Sequence, residues 1–311
     1  MKQLRYLLYV LALSFTFTAC TNDDVDEFTP LTATSFLPGT NNANANDPVI
    51  NPVLSRPEFP KIKNEETQIL VYETDEGVNY CVEWNSTKRS QRYSCYQMDK
   101  ATSAERTDRY IADPTKDEDQ YPFEIRLTDY FPSDPFWHTG YDHGHICPSA
   151  DRLYSREANI QTFYLTNMQP QLNGFNAGVW ELMEEQVREW NVDAFRKKLY
   201  VCKGGTIENT DEVPNAYKTM ERSGGTLIIP NYFFMAVLCH TPNDGWKAMG
   251  FWAKHEVSST TNLYKYIVNI DELERLTGID FFCNLPDNLE EQVERAPVSE
   301  IVGSWFDWKN E

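Results

Sequence analysis

Tyr141-Asp142-His143-Gly144-His145-Ile146-Cys147-Pro148-Ser149-Ala150-Asp151-Arg152 crowds acid, imidazole, glycine and proline into twelve positions. Three of the chain's five histidines fall between residues 138 and 145. A strand that only had to be buried would carry Val, Ile or Phe here, and glycine weakens a strand unless the backbone must approach something closely. Folding alone does not ask for this composition, so the stretch reads as chemistry. By itself it stays ambiguous. A satisfied structural histidine, or a zinc site built from His143, His145 and Cys147, would use similar residues, and side chains two apart on a strand face one way.

The second half of the pattern is Thr166-Asn167-Met168-Gln169-Pro170-Gln171-Leu172-Asn173-Gly174-Phe175-Asn176-Ala177-Gly178-Val179-Trp180-Glu181-Leu182-Met183-Glu184-Glu185. Together the two segments resemble the DNA/RNA non-specific endonucleases. These are the ββα-metal nucleases whose signature is Asp-Arg-Gly-His, then Asn-x-x-Pro-Gln, then a helix opening with Asn. Later stretches agree: Gly204-Gly205, Pro230-Asn231-Tyr232-Phe233-Phe234, and Ile270-Asp271-Glu272-Leu273-Glu274 leading to Thr277-Gly278-Ile279-Asp280-Phe281-Phe282. The resemblance covers roughly residues 70 to 295, and one position departs from it: His143 stands where the family usually has arginine.

The resemblance implies an α+β chain with the ββα-metal (His-Me finger) nuclease fold, a central, mainly antiparallel sheet and flanking helices. It implies an endonuclease that hydrolyses DNA and RNA with little sequence preference and leaves 5′-phosphate ends. Such a reaction needs an activated water, a cation where charge gathers on the phosphoryl and leaving oxygens, and alignment of all three. By resemblance His145 is the general base, suited by an unperturbed pKa of about 6.5. Asn176 is the metal ligand. An amide oxygen suits a hard Mg²⁺ ion that keeps most of its waters, with Mn²⁺ as a substitute. Glu184, eight residues on, can hold a water belonging to the metal, and Asn167 orients the site.

Each of these residues also has an ordinary structural reading: a buried histidine, an N-cap asparagine, a glutamate on an exposed helix face, an asparagine at a turn. At His143 an arginine would be cationic at any pH and could clamp a phosphate with two hydrogen bonds, whereas histidine is only partly charged near neutrality. His143 is expected to stabilise the transition state when protonated. Arg152, Arg89 and Arg92 are candidate substitutes for the missing cation, although each is also explained as a solvated surface arginine.

Strand signals, aromatic or β-branched and bounded by Gly, Pro, Asn or Asp, span residues 68–73, 78–84, 91–98, 163–166, 198–202, 226–229, 232–239 and 247–253. Helical spacing is clearest over 176–190, where Val179, Trp180, Met183 and Val187 share a face and Asn176 is placed to cap. A second helix is expected over 271–277, closed by Gly278. Strands without strict helix alternation again indicate α+β.

Residues 1–20 carry Lys2 and Arg5 ahead of an apolar run and end Phe17-Thr18-Ala19-Cys20, which resembles a bacterial lipobox. The expectation is an exported outer-membrane lipoprotein, anchored through lipidated Cys20. The acidic Asn22-Asp23-Asp24-Val25-Asp26-Glu27 stretch favours the cell surface. Residues 21–66, rich in Pro, Asn and Thr, read as a disordered tether, which leaves 67–311 as the nuclease domain. Cys81 and Cys95 are symmetric about a turn-like stretch, so a hairpin would set them opposite one another and a disulfide is expected.

The 311 residues carry 47 acids against 28 Lys and Arg, a formal charge of −19. That excludes coating a polyanion by bulk charge. Both ends hold much of the excess: residues 21–66 contain eight acids and three bases, residues 270–311 eleven and three. Substrate binding is therefore expected to be weak and strongly salt-dependent. DNA and RNA are the only partners beyond the membrane that the sequence suggests. Two alternatives stay open at this stage: a zinc hydrolase using His143, His145 and Cys147, and a non-catalytic surface lipoprotein that keeps the nuclease fold.

Overall fold

In a computed structural model, which describes residues 42–49, 51–63 and 67–308, alternating burial shapes the central sheet. Its strands are β1 (Thr67–Thr74), β2 (Gly77–Asn85), β3 (Ser90–Met98), β6 (Lys198–Gly205), β9 (Tyr232–His240), β10 (Trp246–Lys254) and β11 (Ile267–Val268). They lie in the order β1-β2-β3-β6-β9-β10-β11, and every neighbouring pair is antiparallel. Two short antiparallel pairs stand outside it: β4 (Asp142–His145) with β5 (Met168–Gln171), and β7 (Tyr217–Arg222) with β8 (Gly225–Pro230).

The period of two along each strand gives the sheet two apolar faces. Tyr80, Val82, Trp84, Phe233, Met235 and Val237 point to one, where α3 (Glu181–Trp190) lays down Met183, Val187 and Trp190 and α6 (Val298–Phe306) adds Ile301 and Trp305. Cys81, Cys95, Cys202, Phe234, Ala236 and Leu238 point to the other, covered by Ile270 and Leu273 of α4 (Ile270–Thr277) and Val293 of α5 (Asp287–Glu294). The two remaining helices are α1 (Arg156–Gln161) and α2 (Asn173–Phe175). As expected, Gly278 closes α4, with φ +66°, a conformation that favours glycine.

Four expectations need correcting. Residues 163–166 do not form a strand; Phe163 turns inward and a single tight turn at Leu165–Asn167 precedes β5, because aromatic burial rather than extension governs this stretch. Asn176 is not a helix N-cap. It has helical φ/ψ of −58° and −56°, follows α2 directly, and its side chain caps nothing, while the break falls at Ala177 and Gly178.

The distal tether is also not disordered. Leu54 and Phe59 are buried against the second face, and buried Asn46 donates from Nδ2 to the Pro60 carbonyl at 2.9 Å, while its backbone N–H donates to Asn284 Oδ1 at 3.0 Å. Apolar anchors too sparse to form a core alone suffice when a finished sheet face is there to receive them. Finally, Cys81 and Cys95 do face each other in register, with Cys202 opposite Cys95 on the next strand, but as free thiols. Burial raises the Cys95 thiol well above its usual range, and the protonated sulfur packs as a small apolar group.

The described residues belong to one compact unit, Leu31–Glu311. Among them no helix is long and apolar enough to cross a membrane. The expected signal peptide, lipidated Cys20 and proximal tether lie outside the described residues.

Candidate active site

β4 and β5 pair with His143 opposite Pro170 and His145 opposite Met168, and the chain then turns through α2 into α3, giving strand, strand and helix in close succession. Gly144 is needed for that pairing, since a Cβ there would stand 2.3 Å from Cδ of buried Gln171. Trp180 Nε1 donates to the His145 carbonyl at 3.3 Å and so ties the helix entrance to β4. The result is an open, polar cavity of about 460 Å³ whose lining includes His143, His145, Asn176 and Glu184.

His145 has the most perturbed chemistry of the four. Its ring meets Phe163 edge-on at 4.8 Å, and its Nε2 is buried with no hydrogen-bond partner among the described residues. Burial first, then the nearby Arg109 and His143 charges, push its pKa down to about 3. The imidazole is therefore neutral at physiological pH and keeps a lone pair able to accept a proton.

Asn176 donates through Nδ2 to Asp142 Oδ2 at 3.1 Å, and Asn173 donates to the same oxygen at 3.0 Å. With its nitrogen tied to a carboxylate, the amide keeps its oxygen for a cation. Glu184 forms a 2.6 Å ion pair with Lys203 Nζ of β6, and Lys203, 1% exposed, lies 4.5 Å over the Trp180 ring. Burial raises the Glu184 pKa although Lys203 pulls it down. These donors are hard oxygens, which fits a divalent ion of the Mg²⁺ class.

His143 is immobilised. Its ring stacks on Tyr121 with 3.8 Å between centroids, and Nε2 lies 2.8 Å from Asp134 Oδ2. Burial alone would raise the Asp134 pKa, but the hydrogen bond from His143 holds it below the usual carboxylate range. Asn167 lies beneath the cavity, wholly buried. It accepts from Cys147 N–H at 2.9 Å and donates to the carbonyls of Cys147 at 2.8 Å and Thr162 at 2.7 Å. Its bonds go to the backbone just past β4, to Thr162 and to Ser94, and it is not part of the cavity lining.

None of the three candidate arginines reaches the cavity. Arg152 is buried, its guanidinium 4.4 Å over the Tyr96 ring; Arg92 pairs with Glu83 at 2.8 Å; Arg89 pairs with Asp129 at 2.7 Å. The cations that do line it are Arg109, exposed and 4.8 Å over the Phe163 ring, and Arg188, paired with Asp151 at 3.1 Å. Sequence reading missed both, together with Lys203. Arg109 stands 32 residues before Tyr141 in an irregular stretch, and no local pattern announces it. Arg188, one turn beyond Glu184 on the same helix face, could have been found from helical spacing. Nor do His143, His145 and Cys147 form a zinc set: Cys147 packs into the core, where burial lifts its thiol to about 12.

The model of the DNA/RNA non-specific endonucleases matches residues 39–288. The chain belongs to this family. It is accordingly an endonuclease, an enzyme of nucleic acids in a family of divalent-metal-dependent nucleases. It is 29% identical to a nuclease of Nostoc sp. over 226 residues, 69% of this chain and 75% of that one. The mitochondrial nuclease of Saccharomyces cerevisiae is 30% identical over 192 residues, 58% of this chain and 56% of the yeast protein. Human mitochondrial endonuclease G is 25% identical over 150 residues, 47% and 50% of the two chains. A crystal structure of an EndoG/EndoGI complex superposes with a TM-score of 0.58 at 20% identity, covering 73% of this chain and 89% of that one. The fold is thus that of the ββα-metal nucleases.

Proposed function

We propose that this endonuclease is Mg²⁺-dependent and cleaves both DNA and RNA to 5′-phosphate ends, with His145 as general base. The observation that carries the reading is a neutral imidazole with an unpartnered Nε2, in the same cavity as an asparagine whose amide nitrogen is already held by Asp142. Asn176 would hold the metal through its free amide oxygen, with the Glu184 carboxylate close by. When bound, Mg²⁺ supplies positive charge to the phosphoryl and leaving oxygens.

Burial leaves His145 a weak base in the free protein, and the anionic phosphodiester beside it raises its proton affinity; it then takes a proton from the attacking water as the water oxygen bonds to phosphorus, and the departing 3′-oxygen takes one from solvent as its bond to phosphorus breaks. Asn167 keeps the base in place by fixing the backbone at Cys147. Arg109 and Arg188 offer cations to the phosphate backbone, and His143, held by Tyr121 and Asp134, stands where the family arginine would. A binding module would not need this neutral, unpartnered base beside a restrained amide. The enzyme is further proposed to be exported and anchored in the outer membrane through Cys20, on the strength of the sequence over residues 1–27. Labelling with a tagged fatty acid, lost in Cys20→Ala, tests that part.

Supercoiled plasmid and a structured RNA, offered with Mg²⁺ or EDTA to the wild type and to His145→Ala, test the chemistry. Cleavage of both polymers that needs Mg²⁺ and falls by about 10²–10⁴-fold in the variant is expected. Undiminished cleavage by the variant would remove His145 from its role.

A further inference from the structure

On the sheet face opposite the nuclease cavity, α4 and α5 bring carboxylates together. Asp271 and Glu274 of α4 and Glu294 at the end of α5 each offer an oxygen, all within 4.8 Å of one another. Asp280 and Glu290 stand nearby and share one donor, Asn44 Nδ2, which is 2.8 Å from Glu290 and 3.3 Å from the nearer Asp280 oxygen. A cluster of acids is by itself an ordinary surface feature. What sets this one apart is Glu294, 7% exposed, whose Oε1 is buried without any hydrogen-bond partner among the described residues.

No surrounding donor among the described residues reaches Glu294 Oε1. Phe281 N–H donates to Glu274 Oε1 at 2.6 Å, and Lys61 Nζ is taken up by the Asn44 and Ala45 carbonyls at 2.6 and 2.7 Å. Arg295, exposed, approaches Asp271 at 3.6 Å but turns its terminal nitrogen to Glu291. A buried carboxylate with no donor, facing two more carboxylates, is costly unless a cation joins them.

We propose that Asp271, Glu274 and Glu294 form a calcium-binding site that joins α4 to α5, separate from the nuclease centre. The donors are all oxygen, with no imidazole or thiol in the set, which selects a hard cation. Oxygens within 4.8 Å of one another can share one ion, and calcium accepts three carboxylates in an irregular arrangement at about 2.4 Å, whereas magnesium demands a near-ideal octahedron and keeps most of its waters. Asp271 is exposed, so water can complete the coordination. The bound ion would fasten the two helices that cover the second face, together with the segment around Asn44 that binds Asp280 and Glu290.

The test uses the full chain stripped of divalent ions. Its thermal midpoint is followed as CaCl₂ is added, and calcium uptake is measured by calorimetry. A rise of several degrees is expected in the wild type and in Asn176→Ala, and loss of that rise in Glu274→Gln/Glu294→Gln. The latter pair replaces repelling carboxylates by amides of the same shape. Asn176→Ala should still bind one equivalent of calcium, a readout that stands even if the paired variant fails to fold. The proposal is overturned by an unmoved wild-type midpoint, by the same rise in the paired variant, or by no calcium uptake in Asn176→Ala.

Discussion

His145 combines a ring kept neutral by burial with an Nε2 that has no hydrogen-bond partner among the described residues. The same environment links this ring to stability. Unfolded, the imidazole takes a proton near its ordinary 6.5; folded, it refuses one until about 3. Between those values the unfolded chain binds more protons, so the stability linked to this group is fully present above about 6.5 and is lost as pH falls toward 3. In His145→Gln, denaturant midpoints should decline less over that window than in the wild type; identical slopes would mean that the ring is not buried neutral. His143 calls for a different measurement. Arginine is a fixed cation that can clamp a phosphate with two hydrogen bonds, so His143→Arg should raise kcat/KM several-fold, and an unchanged kcat/KM would take position 143 out of phosphate binding.

At the scale of elements, the β4–β5 pair depends on a missing side chain. A methyl group at position 144 would enter space that Gln171 occupies at 2.3 Å, and Gln171 is buried and cannot swing into solvent. Gly144→Ala should therefore destabilise the protein by about 1–3 kcal/mol, the usual cost of overpacking. Activity should suffer further, since the same strand carries both histidines. Equal unfolding midpoints for variant and wild type would show that the hairpin yields. Sequence reading placed the long strands to within three residues at most ends, because their aromatic and β-branched runs are bounded by turn formers. It missed β5, β7 and β11, and it gave residues 163–166 a strand, because burial and extension use the same residues.

At the scale of the molecule, the charge of −19 is not spread evenly. Part of the acidic C-terminal excess lies in the cluster around α4 and α5 rather than in a solvated tail. The nuclease cavity has Arg109 and Arg188 on its lining, so phosphate contacts are few and local. Cleavage under subsaturating substrate should fall steeply as NaCl rises, and a rate indifferent to salt would contradict that picture. The six described cysteines are all buried thiols. An alkylating reagent should leave them untouched in the native protein and modify all six in denaturant without reductant. Protection of Cys81 and Cys95 under the second condition would restore the disulfide that the hairpin suggested.

The sequence by itself determined the family, the antiparallel sheet with α3 and α4, and the identities of His143, His145, Asn167, Asn176 and Glu184 as the residues to watch. Motif spacing and period are local properties, and one chain carries them in full. Only the tertiary structure decided what those residues touch. Arg109 and Lys203 come to the site from distant segments, Arg152 leaves it for Tyr96, Asn46 and Phe59 dock a stretch with no core of its own, and Asp271 and Glu274 meet Glu294 across two helices. Such meetings depend on long-range packing, where a buried charge or amide takes whatever partner the fold brings within reach.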